Sequence, residues 1–155
     1  MVALVAAPQL PLASLTVVEP PAFAVARAHP AVQAFVEGFA RAPSDPRGYL
    51  EYFMPLVGST MPIPDPLPAS LEAGAWAALS ERWPSEAEPA LDDIAATPYR
   101  KLVVSGGHSA AFDAVCDVLE ERLGAERVVL RGAGHAVPRL GAPFNDVLES
   151  FVTRS

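Results

Sequence analysis

The sequence has little of what disulfide-rich, nucleic-acid-binding and membrane-surface proteins need. It contains one cysteine, Cys116, which excludes an internal disulfide and a cysteine-based zinc site. Its 11 basic residues are outnumbered by 18 acidic ones, for a formal net charge of -7 at pH 7. Nucleic acids and anionic membranes are recognised by basic patches, so we expect neither as a partner. The lone cysteine is consistent with the reducing cytoplasm, and we expect it to be buried.

Metal and cofactor motifs are missing as well. The three histidines, His29, His108 and His135, lie far apart in sequence, and no HExxH-type spacing occurs. Ser105-Gly106-Gly107 lacks the full glycine pattern of a phosphate loop or a dinucleotide-binding turn. We therefore expect no metal and no cofactor.

The apolar N-terminus, Met1 to Val18, lacks the features of a secretion signal or a membrane anchor. Its first basic residue is Arg27, whereas a signal peptide begins with a basic region. Pro8 and Pro11 interrupt the apolar run and leave it too short to span a bilayer. The segment instead predicts a short helix, a turn and a buried strand.

Two stretches near the C-terminus indicate the fold class. Residues 101–104 and 127–130 are short apolar runs, and each leads into glycines followed by a polar residue. Between them, Phe112 to Leu123 has the pattern of a helix. Strand, helix and strand predict a parallel pair with a crossover. The polar residues then lie at the carboxyl ends of the strands, where open α/β sheets bind ligands.

The rest of the chain predicts one more strand and several helices. Leu15–Val18 is a buried parallel strand that ends at Glu19-Pro20-Pro21. The predicted helices are Pro30–Arg41, Asp45–Val57, Ala69–Trp83, Pro89–Ala96 and Pro143–Thr153. Together they predict an α/β protein with a parallel sheet of about three strands. Residues 1–26 and 99–155 would form the sheet part, and residues 27–98 a helical insert.

This order of elements resembles the C-terminal half of an α/β-hydrolase. In that family a strand leads into a helical cap, followed by the acid-bearing strand, a helix, the histidine-bearing strand and a last helix. Leu15–Val18 corresponds to the first strand, Leu102–Val104 to the acid strand, and Gly132-Ala133-Gly134-His135 to the histidine turn. The resemblance implies a partial α/β-hydrolase-like fold with a cap, and hydrolysis of small apolar esters, amides or similar substrates.

His135 is the strongest candidate for a catalytic residue. Histidine is the usual general base in enzymes, and a glycine-flanked turn can present the ring of His135 to a cleft. The family's acid is expected just after Val104, but Ser109 and its neighbours stand there. Glu19 at the end of the preceding strand is the favoured substitute, and Asp113 is the alternative. Glu19 equally fits a turn carboxylate that binds backbone amides.

The family's nucleophile lies in a G-x-S-x-G elbow, and this chain has no such motif. The resemblance places the start of the sequence just after the elbow, so we expect a truncated or reduced relative that is not catalytically complete alone. A nucleophile would then come from a missing segment or a partner chain. Residues 107–111 partly imitate the elbow and make Ser109 a minor candidate. Ser109 fits a helix N-cap better.

A non-catalytic role is the alternative function. A partial sheet of about three strands leaves the Leu15–Val18 strand with an exposed edge, which favours pairing with another chain. The hydrophobic fraction of 51% also suggests a buried interface, and we expect a homodimer or a larger homo-oligomer. Several aromatic residues either line a substrate cleft under the cap or pack its helices; they are Tyr49, Tyr52, Phe53, Trp76 and Trp83. The substrate and the symmetry of the oligomer are left open.

Overall fold

A computed structural model describes residues 1–81, 83 and 86–154. Its helices are α1 (Val2–Ala6), α2 (Pro30–Phe39), α3 (Pro46–Leu56), α4 (Ala69–Ser80), α5 (Leu91–Ala95), α6 (Ala110–Leu123) and α7 (Ala142–Thr153). Its strands are β1 (Ser14–Val18), β2 (Arg100–Ser105) and β3 (Glu126–Val129). The helix predicted over residues 69–83 ends at Ser80, and residues 82, 84 and 85 lie outside the described residues.

The three strands form one parallel sheet in the order β1-β2-β3. Ser14 is in register with Arg100, and Leu102 is in register with Glu126. The predicted α/β class and the three-stranded parallel sheet are therefore confirmed. The central strand β2 is buried over most of its length, because helices cover both faces of the sheet. A continuous apolar run is typical of such a strand.

Successive residues of β2 face two different apolar clusters, as the two-residue period of a strand requires. Val103 packs in the larger cluster, which includes α6 residues such as Leu119 and Cys116. Leu102 and Val104 pack on the opposite face against α7 residues such as Phe151. Cys116 is fully buried in the larger cluster, as predicted.

The helices of residues 27–98 divide between two clusters. Helix α2, through Val32, and helix α5, through Ile94, belong to the larger cluster beside the sheet. Helices α3 and α4 form a separate cluster around Tyr49, Leu50 and Ala75. The α3–α4 pair is therefore the part of the predicted insert that packs apart from the sheet.

Local sequence signals account for several helix boundaries. Asp45 lies at the N-cap of α3 and accepts a hydrogen bond from the Gly48 amide at 2.9 Å, and Pro46 is in the first turn. Gly124 ends α6 with a φ of 59°. Helix α6 has 14 residues, and no helix among the described residues has the combined length and apolar character needed to cross a bilayer.

Candidate functional site

Three turns meet at the carboxyl edge of the sheet because the three strands are parallel. Glu19 follows β1, residues 106–108 follow β2, and residues 132–135 follow β3. These turns bring together the side chains of Glu19, His108 and His135. Ligands of open α/β sheets bind at this edge.

Glu19 is buried at the end of β1, with 2% of its surface exposed. Its backbone amide donates to the Val104 carbonyl at 2.9 Å, so it extends the pairing of β1 with β2. Its φ of 45° makes it the one non-glycine residue with a positive φ among the described residues. Backbone conformations of this kind cost free energy and concentrate at functional sites.

The Glu19 carboxylate contacts one backbone amide and two imidazole rings. Its Oε1 accepts a hydrogen bond from the Gly106 amide. Its Oε2 lies 3.3 Å from Nδ1 of His135 and 3.5 Å from Nδ1 of His108. The two rings are 6.2 Å apart between centroids, and both pack against the ring of Phe112. One carboxylate oxygen therefore faces two histidines.

The charge of Glu19 has no ordinary cationic partner. Among the residues that the structure describes, no lysine or arginine forms an ion pair with it, and its ion-pair contacts are the two histidines. A buried carboxylate is costly unless it is paired and hydrogen-bonded. The two imidazole rings are therefore the side chains placed to interact with this carboxylate.

Glycines let the turns after β2 and β3 approach each other closely. A Cβ atom on Gly106 would lie 2.0 Å from the carbonyl oxygen of Gly134, so only glycine fits there. Gly134 itself has a φ of 59°. The backbone amide of His135 donates to the Val57 carbonyl at 3.1 Å, which ties the turn after β3 to the end of α3.

His108 is part of the site, although the sequence analysis assigned it no role of its own. Its side chain is 10% exposed, and neither ring nitrogen has a hydrogen-bond partner. The signal that pointed to His135, a polar residue after a strand and a glycine turn, also applies to His108. The expectation of no metal site depended on the separation of the histidines in sequence, and the fold brings two of them together.

The structure brings Glu19, and not Asp113, to His135. Oδ1 of Asp113 accepts a hydrogen bond from the Ser105 hydroxyl at 2.6 Å and lies 3.2 Å from a guanidinium nitrogen of Arg127. Ser109 occupies the N-cap position of α6, but its side chain makes no capping hydrogen bond. No described hydroxyl or thiol is hydrogen-bonded to His135.

His135 lines an apolar cavity of about 190 Å³. The other described residues that line it are mainly aromatic or aliphatic: Pro21, Phe23, Phe35, Phe39, Tyr49, Phe53, Val57, Ala78, Glu81, Trp83 and Phe112. The rings of Tyr49 and Phe53 are stacked, with centroids 5.4 Å apart. Burial, with a smaller contribution from the Glu81 charge, raises the pKa of Tyr49.

Of the five aromatic residues that the sequence predicted to line a cleft or pack the cap helices, three line the cavity and two do not. Tyr49, Phe53 and Trp83 line the cavity. Tyr52 instead donates its hydroxyl to the Gly38 carbonyl at 2.6 Å, and Trp76 is half exposed on α4.

No protein-family model, curated protein or solved structure matches this chain. The resemblance to the α/β-hydrolases therefore stays a prediction.

Proposed function

We propose that the protein is a hydrolase of the ester or amide class in which His135 is the general base. The observation that carries this proposal is the 3.3 Å contact between Oε2 of buried Glu19 and Nδ1 of His135. His135 also lines the apolar cavity, so one ring reaches both the carboxylate and the space for a substrate. A histidine with an orienting carboxylate on its second nitrogen is the arrangement that general-base catalysis needs.

The proposed reaction uses the two ring nitrogens differently. With its Nδ1 proton directed at Glu19, His135 has a free lone pair on Nε2. Nε2 takes the proton from a nucleophilic hydroxyl as that oxygen adds to the substrate carbonyl carbon. The resulting imidazolium is stabilised by the Glu19 charge. It then returns the proton to the leaving alcohol or amine as the carbonyl bond re-forms.

The nucleophile is a water molecule or a hydroxyl group from a partner chain. No described hydroxyl or thiol is hydrogen-bonded to His135, so the described residues supply no paired nucleophile of their own. Water is the simpler choice, because a single general base can activate it. A serine from another chain would follow the pattern of the family that the sequence resembles.

The cavity supports a small, uncharged substrate group. Its volume of about 190 Å³ is close to the roughly 150 Å³ of apolar cavities that bind benzene. Its walls are mainly aromatic, and Glu81 is the one acidic residue among the described residues that line it. A short acyl chain or a single aromatic ring fits this environment.

Hydrolysis of p-nitrophenyl acetate and p-nitrophenyl butyrate tests the proposal. We expect His135→Gln to lower kcat/KM by about 10²–10⁴-fold, the usual contribution of a general base. Glu19→Gln should also lower it, because the neutral amide keeps an acceptor for Gly106 but cannot stabilise an imidazolium. His29→Asn is the matched control, since His29 caps α2 and asparagine also caps helices.

Equal rates for the wild-type protein and His135→Gln would refute the proposal, provided that both have the same circular dichroism spectrum. A fluorophosphonate probe identifies the nucleophile in active protein. Modification of Ser109 would assign this role to Ser109, whereas an unmodified chain indicates water or a hydroxyl from elsewhere.

Self-association is the second candidate function, and the position of β1 favours it. β1 pairs with β2 on one side and has no strand on its other side among residues 1–81, 83 and 86–154. An open edge can add a strand from a second copy. Light scattering should then give a dimer, and Thr16→Lys should shift it toward monomer by placing a charge on the edge. A wild-type monomer would contradict this function.

A further inference from the structure

The Glu19, His108 and His135 side chains lie close enough together to hold a metal ion. Each offers one nitrogen or oxygen atom, and these three atoms lie within 4.8 Å of one another. We propose that the three residues bind one Zn²⁺ ion. The proposal goes beyond the proposed hydrolysis and does not depend on it.

The chemistry of the three ligands favours zinc over the common hard cations. Two imidazole nitrogens and one carboxylate form a known zinc ligand set in which a fourth position stays open. Calcium and magnesium prefer sites made of oxygen ligands, so two histidines argue against both. The single cysteine, Cys116, is not among the three residues that meet at this site.

The two separations between Glu19 and the histidines are close to those of a tetrahedral ion. Zinc bonds to nitrogen and oxygen are about 2.0–2.1 Å long, so two ligands of a tetrahedral ion lie about 3.3–3.4 Å apart. Oε2 of Glu19 lies 3.3 Å from Nδ1 of His135 and 3.5 Å from Nδ1 of His108. The three candidate ligand atoms all lie within 4.8 Å of one another.

Charge and unsatisfied polar atoms also favour a cation. Glu19 is buried without a lysine or arginine partner among the described residues, and a divalent ion would compensate its charge. His108 is mostly buried with no hydrogen bond at either nitrogen, which is costly for a polar ring. A bond from Nδ1 to zinc would satisfy one of them.

The surroundings have the features of a metal site beyond the ligands themselves. The Gly106 amide holds Oε1 of Glu19 and leaves Oε2 free for the ion. His135 is the most exposed of the three ligands and lines the cavity, so a water molecule can reach the fourth position from that side.

Zinc binding and the proposed general-base role of His135 exclude one another. An ion on Nδ1 of His135 takes the place of the proton that this nitrogen directs at Glu19. The neutral ring then carries its proton on Nε2 and cannot accept another from a nucleophile. Zinc should therefore inhibit the hydrolysis in proportion to its occupancy.

Titration calorimetry with Zn²⁺ on the metal-free full chain tests the site. We expect one ion per chain in the wild-type protein and in His29→Asn. Loss of a group beside a metal typically weakens binding about 10–100-fold, and His108→Gln, which removes a ligand, should weaken it at least as much. Glu19→Gln should also weaken binding, because the carboxylate charge is lost while the acceptor for Gly106 remains.

The visible spectrum with Co²⁺ provides a second measurement that does not depend on any variant. A tetrahedral site with imidazole ligands gives intense absorption bands, whereas the hydrated ion gives weak ones. Weak bands in the wild-type protein, or equal zinc affinity in His108→Gln, would overturn the proposal. Neither measurement uses ester hydrolysis, so failure of the proposed function and failure of the zinc site are distinguished.

Discussion

The cavity has two sides that are built differently. On one side are the turns after the strands and the start of α6, where Glu19 and His108 are buried polar groups and Gly106 contacts the backbone of Gly134. On the other side is the α3–α4 pair, which packs through an apolar cluster. The first side is fixed by backbone contacts and polar pairs, whereas the second is held by burial of apolar area. We therefore expect the turn side to tolerate few changes and the α3–α4 side many.

Phenylalanine-to-alanine substitutions should give the largest difference in stability between the two sides of the cavity. Phe112 is buried in the main cluster and contacts both histidine rings, so Phe112→Ala should lower the free energy of unfolding by about 3–5 kcal/mol. Phe53 is only half-buried on α3, and Phe53→Ala should cost about 1–2 kcal/mol. Urea denaturation followed by circular dichroism measures both. Equal losses would contradict the expectation that the α3–α4 side tolerates substitutions better.

Two glycine-to-alanine substitutions should change the stability of the protein in opposite directions. Gly106→Ala places a methyl group against the Gly134 carbonyl and should destabilise the protein by about 1–3 kcal/mol. Gly74 lies inside α4 with open space around its Cα, so Gly74→Ala should stabilise the protein by about 0.5–1 kcal/mol. Both are read from thermal and urea denaturation. A stable Gly106→Ala variant would mean that the turns after β2 and β3 can separate.

High pH should affect the stability through different residues on the two sides. Burial raises the pKa of Cys116 from 9.0 to about 12, so the unfolded chain loses its thiol proton first as the pH rises. The stabilisation is complete below pH 9 and is lost between pH 9 and about 12. At pH 10 the loss is on the order of 1 kcal/mol.

Tyr49 is the corresponding residue on the α3–α4 side, and burial also raises its pKa, from 10.0. The contribution of Tyr49 to the free energy of unfolding should begin to fall at a higher pH than that of Cys116. Cys116→Ala should therefore flatten the stability profile from pH 9 upward, and Tyr49→Phe only above pH 10. Identical profiles for the wild-type protein and Cys116→Ala would contradict the assignment to Cys116.

The secondary structure followed from local patterns with few exceptions. The apolar run of residues 101–104 predicted β2, and the Asp45-Pro46 pair predicted the start of α3. The helix expected to continue to Trp83 stops at Ser80. Propensity and periodicity act over a few residues, so they indicate an element well but its end less well.

The site was only partly predictable. His135 and Glu19 were identified because they follow strands, and the two are in contact in the structure. Asp113 was the alternative acid for His135, but its carboxylate binds Ser105 and lies beside Arg127. The same signal applied to His108, which was missed because the family resemblance pointed only to the histidine turn at His135.

The sequence by itself determined the order of elements, the burial of Cys116 and the placement of polar residues after the strands. Those features depend on apolar patterns, prolines and glycines within short segments. Only the tertiary structure decided that one oxygen of Glu19 faces both His108 and His135. That meeting requires the register of three strands and the close contact of Gly106 with Gly134. The strand register and the Gly106–Gly134 contact join residues far apart in the chain, so the propensities of short segments cannot determine them.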